Sequence, residues 1–151
     1  MKLSTMLLCC SLLPPALCRA GEPLITLAES QAEQAVLSRS ILIAKGVPQP
    51  GAPTIDLVEP ADPQNIATTP FPVRVHFGTE GGAALVPASL QVYYGAFGIN
   101  ITDRLLKRAT FVQNELRIDQ ADVPSGKHRL LLKIQDSNNR SNEKLLTLVV
   151  K

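Results

Sequence analysis

The chain has 151 residues, 45% of them apolar, which is enough for one packed domain with a small appendage. Two of the 15 basic residues, Lys2 and Arg19, lie before residue 21, and the other 13 balance the 13 acidic residues. No basic run occurs, and only 4% of the residues are aromatic, so the composition argues against a nucleic-acid-binding protein. The 12 prolines favour a β domain with many turns over a helical bundle.

The first 20 residues have the organisation of a secretory signal peptide. Lys2 precedes a mostly apolar run over residues 3–13, and small residues follow at Cys18 and Ala20. The run is too short to cross a bilayer, so no membrane span is predicted. We expect cleavage after Ala20 or after Cys18. Acylation of Cys18, as in a lipoprotein, is the less favoured alternative because a bulky leucine precedes it.

All three cysteines, Cys9, Cys10 and Cys18, lie in this segment. Cleavage after Ala20 would leave no disulfide, no thiolate nucleophile and no cysteine ligand for a metal. Small eukaryotic secreted domains usually carry disulfides, so the pattern favours a bacterial protein that is periplasmic or secreted.

A helix is predicted between the signal and the main domain, over residues 27–45. Thr26 and Glu29 have the spacing of a capping box, and Lys45 followed by Gly46 is a typical helix end. A helix of this length needs a packing partner. The favoured partner is the following domain; a second copy, forming a homo-oligomer, or another protein is the alternative. The predicted apolar face consists of Ala28, Ala32, Ala35, Val36, Leu42 and Ile43.

Residues 47–53 contain three prolines and predict a stiff linker that holds the helix at a distance from the following domain. Beyond it, alternating apolar residues separated by Gly, Pro and Asn predict short strands. Residues 103–108 predict a helical turn, and Gln113 with Asn114 predicts a hairpin turn. The predicted strands are 54–58, 71–77, 89–94, a short edge segment at 98–102, 110–112, 115–118, 128–134 and 145–150.

The clearest strand is 71–77, in which Phe71, Val73, Val75 and Phe77 form the buried row. Pro72 cannot donate a ladder hydrogen bond, so this part of the strand is predicted at a sheet edge. His76 belongs to the outward row and is expected to be solvated.

About seven short strands in roughly one hundred residues is the size and rhythm of an immunoglobulin-like β-sandwich. Residues 54–62, 71–75 and 124–130 resemble bacterial immunoglobulin-like domains of surface and periplasmic proteins. The resemblance implies an all-β sandwich over residues 54–151, after a signal peptide (1–20), a helical segment (21–46) and a linker (47–53). In that pattern an aromatic residue follows the Pro-x-Gly turn by two positions and ties down the corner. Here His128 takes that position, so a packed, hydrogen-bonded imidazole is expected.

The sequence gives little support for metal or cofactor chemistry. His76 and His128 are the two histidines, without His-x-His spacing, and no metal or cofactor is predicted. Residues 136–140 are similar to the first half of a calcium loop, but Arg140 stands at a ligand position and no closing Glu follows. A turn rich in Asn and Ser explains this segment equally well.

Catalysis is a third-ranked hypothesis, and the chain is predicted not to be an enzyme. A small hydrolase would combine His128 with Ser125 or Ser137 and with Asp122 or Asp136. The Gly-x-Ser-x-Gly motif of a nucleophile elbow does not occur in the sequence.

Tyr93, Phe97 and Arg104 form the candidate binding surface, since aromatic and Arg side chains anchor protein interfaces and sugar platforms. The favoured interpretation of these aromatic residues is nevertheless structural, with Tyr94 in the core and with Tyr93 and Phe97 covering a sheet edge. We therefore predict a non-enzymatic exported domain that acts in protein–protein interaction or envelope architecture, with an unknown envelope protein or glycan as partner. The runner-up is a carbohydrate-binding module, which requires Tyr93 and Phe97 to be exposed and coplanar.

Overall fold

A computed structural model of the chain describes residues 23–37 and 47–151. The predicted signal peptide and residues 38–45 of the predicted helix lie outside these ranges. The described part contains two helices and eight strands. In chain order they are α1 Leu27–Val36, β1 Thr54–Glu59, β2 Phe71–Gly78, β3 Leu85–Tyr94, β4 Ile99–Asn100, α2 Thr102–Leu106, β5 Thr110–Val112, β6 Glu115–Ala121, β7 Gly126–Asp136 and β8 Ser141–Val150.

The strands form two four-stranded antiparallel sheets, with the orders β1-β2-β6-β5 and β4-β3-β7-β8. Lettered along the chain as A, B, C, C′, D, E, F and G, these orders become ABED and C′CFG. This is the immunoglobulin constant-type arrangement with one added C′ strand. The predicted fold class, an all-β immunoglobulin-like sandwich, is therefore confirmed, with eight strands in place of about seven.

The core lies between the inner faces of the two sheets. In β2, Phe71, Val75 and Phe77 are buried and Val73 is half-buried, so the predicted inward row is correct. Phe77 also stacks on Phe111, with ring centroids 5.7 Å apart. From the opposite sheet, β7 contributes Leu130, Leu132 and Ile134 at alternate positions.

Strand β2 lies between β1 and β6, but the part that contains Pro72 pairs with no strand on the β1 side, so this part lies at a sheet edge as predicted. The pairing of β2 with β6 is irregular between Phe71 and Val73, and β1 pairs no further along β2 than Arg74. Pro72 is thus accommodated by a bulge, where no ladder donor is needed. His76 is exposed, as predicted, but on this central strand.

Strand β3 begins at Leu85 rather than at Ser89. Pro87 interrupts its regular pairing with β7, which shifts register between Val86 and Gln91. The Ser89 hydroxyl oxygen replaces a ladder acceptor by accepting the Gln135 amide at 2.9 Å. The register shift is bridged by a side chain, so the alternating apolar pattern of the sequence does not show that β3 extends back to Leu85.

The edges at one side of the sandwich are covered by the chain itself. The Lys144 ammonium on β8 donates to the Ile55 carbonyl on β1 and to the Asp56 carboxylate. The β8 backbone at Val149 accepts from the Ile66 amide at 2.9 Å and donates to the Pro63 carbonyl at 2.7 Å. Such coverage opposes pairing with a strand from another molecule.

The segment that precedes the linker contributes side chains to the core of the sandwich. Leu24 and Ile25 belong to the core and line a small apolar cavity of about 30 Å³ between the sheets, together with Leu105 of α2. Helix α1 then packs against β7. The linker therefore does not hold the helix away from the sandwich, and the prediction that it does is wrong. The favoured packing partner, the following domain, is confirmed for α1.

Candidate functional site

Phe97 lies at the tip of the turn between β3 and β4, which we call the Phe97 turn (residues 95–98). Gly95 and Gly98 adopt positive φ angles of 68° and 61°, which non-glycine residues rarely tolerate. The Gly98 amide donates to the Gly95 carbonyl at 3.0 Å and closes the turn. This tight geometry projects the Phe97 side chain outward, where it is 69% exposed.

The other two predicted surface residues are engaged within the chain. Tyr93 is half-buried on β3, and its hydroxyl lies 3.2 Å from Gln91 Oε1. Arg104 of α2 donates to both carboxylate oxygens of Glu29, at 2.8 and 3.1 Å, and to the Leu24 carbonyl at 3.2 Å. Arg104 thus attaches the N-terminal segment to α2, and its hydrogen bonds to Glu29 lower the pKa of that carboxyl to about 2.

His128 is fully buried and occupies the corner as expected. Its Nε2 lies 2.7 Å from the Pro124 carbonyl, which can only accept, so Nε2 carries the proton. Nδ1 is then the acceptor for the Tyr94 hydroxyl at 2.8 Å. Burial lowers the pKa of His128, although the Pro124 hydrogen bond and the Glu33 charge act in the opposite direction. Burial also raises the pKa of Tyr94, so the pair is neutral near pH 7.

The lowered pKa of His128 predicts a stability that falls with acid. Below the unfolded value of about 6.5, the unfolded chain binds a proton that the folded chain does not bind. The free energy of unfolding should therefore decrease below that pH, by at most about 1.4 kcal/mol per pH unit for one proton. Urea titrations between about pH 7.5 and pH 5 measure this dependence.

A matched pair of variants assigns that dependence to one residue. His128→Gln should flatten it, whatever the overall stability of the variant. His76→Gln should leave it as in the natural protein, because His76 is exposed. A slope that disappears with His76→Gln, or that survives His128→Gln, would contradict the assignment.

Helix α1 contacts the sandwich through polar residues, not through the predicted alanine face. Ala28, Ala32 and Ala35 are exposed, whereas Ser30 and Glu33 are buried. Glu33 is 1% exposed; its Oε1 accepts from Arg129 Nε at 2.5 Å and its Oε2 accepts from the Ala96 amide at 2.6 Å. The i, i+3 spacing of Ser30 and Glu33 places both side chains on one face of the helix, but nothing in the sequence distinguishes this polar face as the buried one.

The same helix makes a second polar contact with β7. Gln34 donates from its side-chain amide to the Lys127 carbonyl at 2.7 Å and accepts from the Lys127 amide at 3.4 Å. A Cβ atom added to Gly126 would lie 2.7 Å from Gln34 Nε2, so this approach depends on a glycine. Helix α1 is therefore held on β7 by two separate polar contacts, one made by Glu33 and one made by Gln34.

The residues considered for a hydrolase are not assembled around His128. Both nitrogens of its ring are hydrogen-bonded, to Tyr94 and to Pro124. The Ser125 hydroxyl donates to the Lys151 carbonyl at 3.0 Å, and Asp122 is exposed. The remaining two candidates, Ser137 and Asp136, lie at the opposite end of the sandwich.

Asp136 organises the turn that resembled a calcium loop. Its carboxylate accepts from the amides of Asn138 and Arg140, both at 2.9 Å, and from Arg140 Nε at 2.8 Å. Burial alone would raise the pKa of Asp136, but these hydrogen bonds outweigh burial and lower it. The carboxylate thus stabilises the turn through hydrogen bonds from residues of the turn itself.

Two properties of the described ranges, 23–37 and 47–151, bear on metal binding and on membrane insertion. They contain no group of three or more His, Cys, Asp or Glu side chains placed to hold a metal ion. No helix in these ranges is both long and apolar enough to cross a membrane.

No family model matches this sequence, and a search of curated proteins finds no match. Among solved structures, the chain is similar to the crystal structure of CopC from Methylosinus trichosporium OB3b, with 18% identity and a TM-score of 0.43. The similar region covers 65% of this chain and 94% of that one. The fold assignment rests on the strand order and not on this similarity.

Proposed function

We propose that this protein is an exported, non-enzymatic immunoglobulin-like domain of the bacterial envelope that binds another protein through the Phe97 turn. The observation that carries the proposal is a large aromatic side chain, 69% exposed, on a turn held by hydrogen bonds. Rigid aromatic anchors supply much of the binding energy at protein interfaces.

Phe97 differs from the other aromatic residues of the chain. Of the two Tyr and four Phe, Phe71, Phe77 and Tyr94 are buried, and Tyr93 and Phe111 are half-buried. Exposure of Phe97 adds nothing to the core, and a partner's apolar pocket would remove its ring from water. Since the turn is already ordered, binding would require little loss of conformational freedom.

The surroundings of Phe97 favour a protein over a glycan. Sugar sites combine an aromatic ring with polar groups that bind the hydroxyls. Here Arg104 binds Glu29, and the Asn100 side-chain oxygen accepts from the Thr102 amide at 3.0 Å. Carbohydrate binding by Tyr93 and Phe97 stays the second candidate because Phe97 is exposed as that function requires. Strand addition is disfavoured where Lys144 and residues 63–66 cover the edges.

The sequence supports the proposed location, and the contacts of His128 support the proposed non-enzymatic role. The arrangement of residues 1–20 is that of a signal peptide, and the cysteines are confined to it. A periplasmic or secreted location follows, with a lipid anchor on Cys18 as the alternative. The non-enzymatic assignment is supported by the engagement of His128 with Tyr94 and Pro124. Self-association through the described part of the predicted 27–45 helix, which is α1, would use the outward face of that helix.

The experiment is site-specific photo-crosslinking in the source cell's envelope extract. p-Benzoylphenylalanine replaces Phe97 in one version of the chain and Val112 in another; Val112 is 49% exposed at the opposite end of the sandwich. We expect a discrete protein adduct from position 97 alone, which excess natural chain abolishes and excess Phe97→Ala chain does not. Equal adducts from both positions, or none, would contradict the proposal. Binding to a glycan array that is lost in Tyr93→Ala and Phe97→Ala would support the second candidate.

A further inference from the structure

We infer that α1 braces the Phe97 turn and that Glu33 is its positioning residue, so that docking of the helix controls whether the turn is preset for binding. The inference rests on the proposed function of Phe97. It concerns a residue of α1 that lies far from Phe97 in the sequence.

The Glu33 carboxylate connects three parts of the fold. One oxygen accepts from the Ala96 amide, inside the turn, at 2.6 Å. The other accepts from Arg129 Nε of β7 at 2.5 Å. The backbone of Arg129 also contacts the Phe97 turn, because its carbonyl accepts from the Gly95 amide at 2.9 Å. Two consecutive backbone amides before Phe97 are therefore held, one by the helix and one by the strand.

The turn is shaped to receive this carboxylate. A Cβ atom added to Gly95 would lie 2.8 Å from Glu33 Oε2, closer than real Cβ atoms approach other atoms. Gly95 therefore has two reasons to be glycine, its positive φ and the approach of the carboxylate. Such a close fit is not needed for an ion pair with Arg129 alone, and it points to a role of Glu33 in the turn itself.

The packing of α1 on the sandwich is expected to be reversible. A ten-residue helix has little stability of its own in water, and the buried face of α1 is polar. Its position depends on specific contacts of Glu29, Glu33 and Gln34 with the sandwich. When these contacts are broken, the Ala96 amide loses its acceptor and the turn that carries Phe97 becomes free to move.

The test separates the ion pair from the hydrogen bond to the turn. Both double variants Glu33→Gln/Arg129→Met and Glu33→Leu/Arg129→Met remove the two buried charges. Only glutamine retains a side-chain oxygen that can accept from the Ala96 amide. Amide hydrogen exchange of Ala96 in the processed chain is the main readout, and exchange of the Leu132 amide in the core of β7 checks that global stability is equal.

We expect the leucine variant to exchange the Ala96 amide at least about tenfold faster than the glutamine variant, with Leu132 unchanged between them. The chain contains no Trp, so Phe97→Trp adds a single fluorophore. Its anisotropy should report faster local motion in the leucine background only. Equal Ala96 exchange in the two variants would overturn the inference and would leave Glu33 as a purely structural partner of Arg129.

The consequence for binding is measured with the same crosslinker at position 97. The adduct yield should fall about tenfold in the leucine background and be retained in the glutamine background, because a mobile turn must be ordered on binding. If no partner is captured in any background, the proposed function fails while the exchange experiment still decides the role of Glu33. If the Ala96 amide exchanges equally fast in the two double variants but adducts still form at position 97, the inferred role of Glu33 is wrong and the proposed binding by Phe97 is supported.

Discussion

Replacing Ile25 by alanine is expected to lower the free energy of unfolding by about 2–5 kcal/mol, the usual cost of truncating a large aliphatic side chain in a core. Ile25 is fully buried and packs with Leu24 in the cluster formed between the two sheets. Removal of its side chain would enlarge the apolar cavity that both residues line. Urea denaturation of a chain that begins at Gly21, at neutral pH, measures the change.

Leu27→Ala is the matched control. Leu27 is only two residues further along but is 64% exposed, so its truncation should change the free energy of unfolding by less than about 0.5 kcal/mol. If the two substitutions had the same small effect, the N-terminal segment would not contribute to the core.

Because Leu24 and Ile25 belong to the core, removing the N-terminal segment would affect more than the contacts of the helix. A chain that begins at Gly51 would lack Leu24, Ile25 and Glu33 together, and would expose core surface as well as separate Arg129 from its carboxylate. Such a truncation is expected to unfold the sandwich, so it cannot reveal what the helix binds. Point variants on α1 leave the core intact and are the suitable tool.

The strands could be predicted from the sequence because their signal is local. The alternation of Phe71, Val75 and Phe77 requires only that a strand has two faces. Likewise, Gln113 and Asn114 form the predicted hairpin turn with φ angles of 47° and 65°, which Asn tolerates better than most residues. The buried, hydrogen-bonded state of His128 was predicted through the resemblance to bacterial immunoglobulin-like domains, in which the residue at this position after the Pro-x-Gly turn packs into the corner.

The contacts of the N-terminal segment could not be predicted, because they depend on distant residues. Leu24 and Ile25 are two adjacent apolar residues with no periodic pattern around them. Glu33 meets Arg129, 96 positions away, and Arg104 meets Glu29, 75 positions away. An apolar pattern assigns the alanines of α1 to the core, whereas the fold provides a polar receptor for Glu33 that no local pattern shows.

The sequence did not distinguish Phe97 from Tyr93 and Arg104, although the glycines beside Phe97 are consistent with its outward position. Two glycines flank the Ala96–Phe97 pair and are typical of a tight turn that projects its central side chains. Nothing near Arg104 in the sequence shows that it binds Glu29, so it had the same standing as Phe97. The aromatic residues indicated this region in the sequence, and the structure shows that Phe97 is the exposed aromatic side chain within it.

Separating the Glu33–Arg129 pair is expected to destabilise the protein by about 3–5 kcal/mol, since a buried charge is left without its counter-ion. The two side chains are 1% and 8% exposed, and their closest atoms are 2.5 Å apart. Either Glu33→Leu or Arg129→Met alone should have this effect. The double variant should cost less than either single one, because no buried charge is then left unpaired.

The control for this cycle lies on the same strand. Lys133 of β7 pairs with Glu143 of β8 at 3.2 Å, but their side chains are 42% and 20% exposed. Water and salt weaken such a pair, so a cycle of Lys133→Met and Glu143→Leu should give a coupling energy of about 0.2–1 kcal/mol. Denaturant titrations of the seven proteins, which are the natural chain, four single variants and two double variants, measure both couplings. Equal couplings would contradict this prediction, because the buried pair would then stabilise the protein no more than a surface ion pair does.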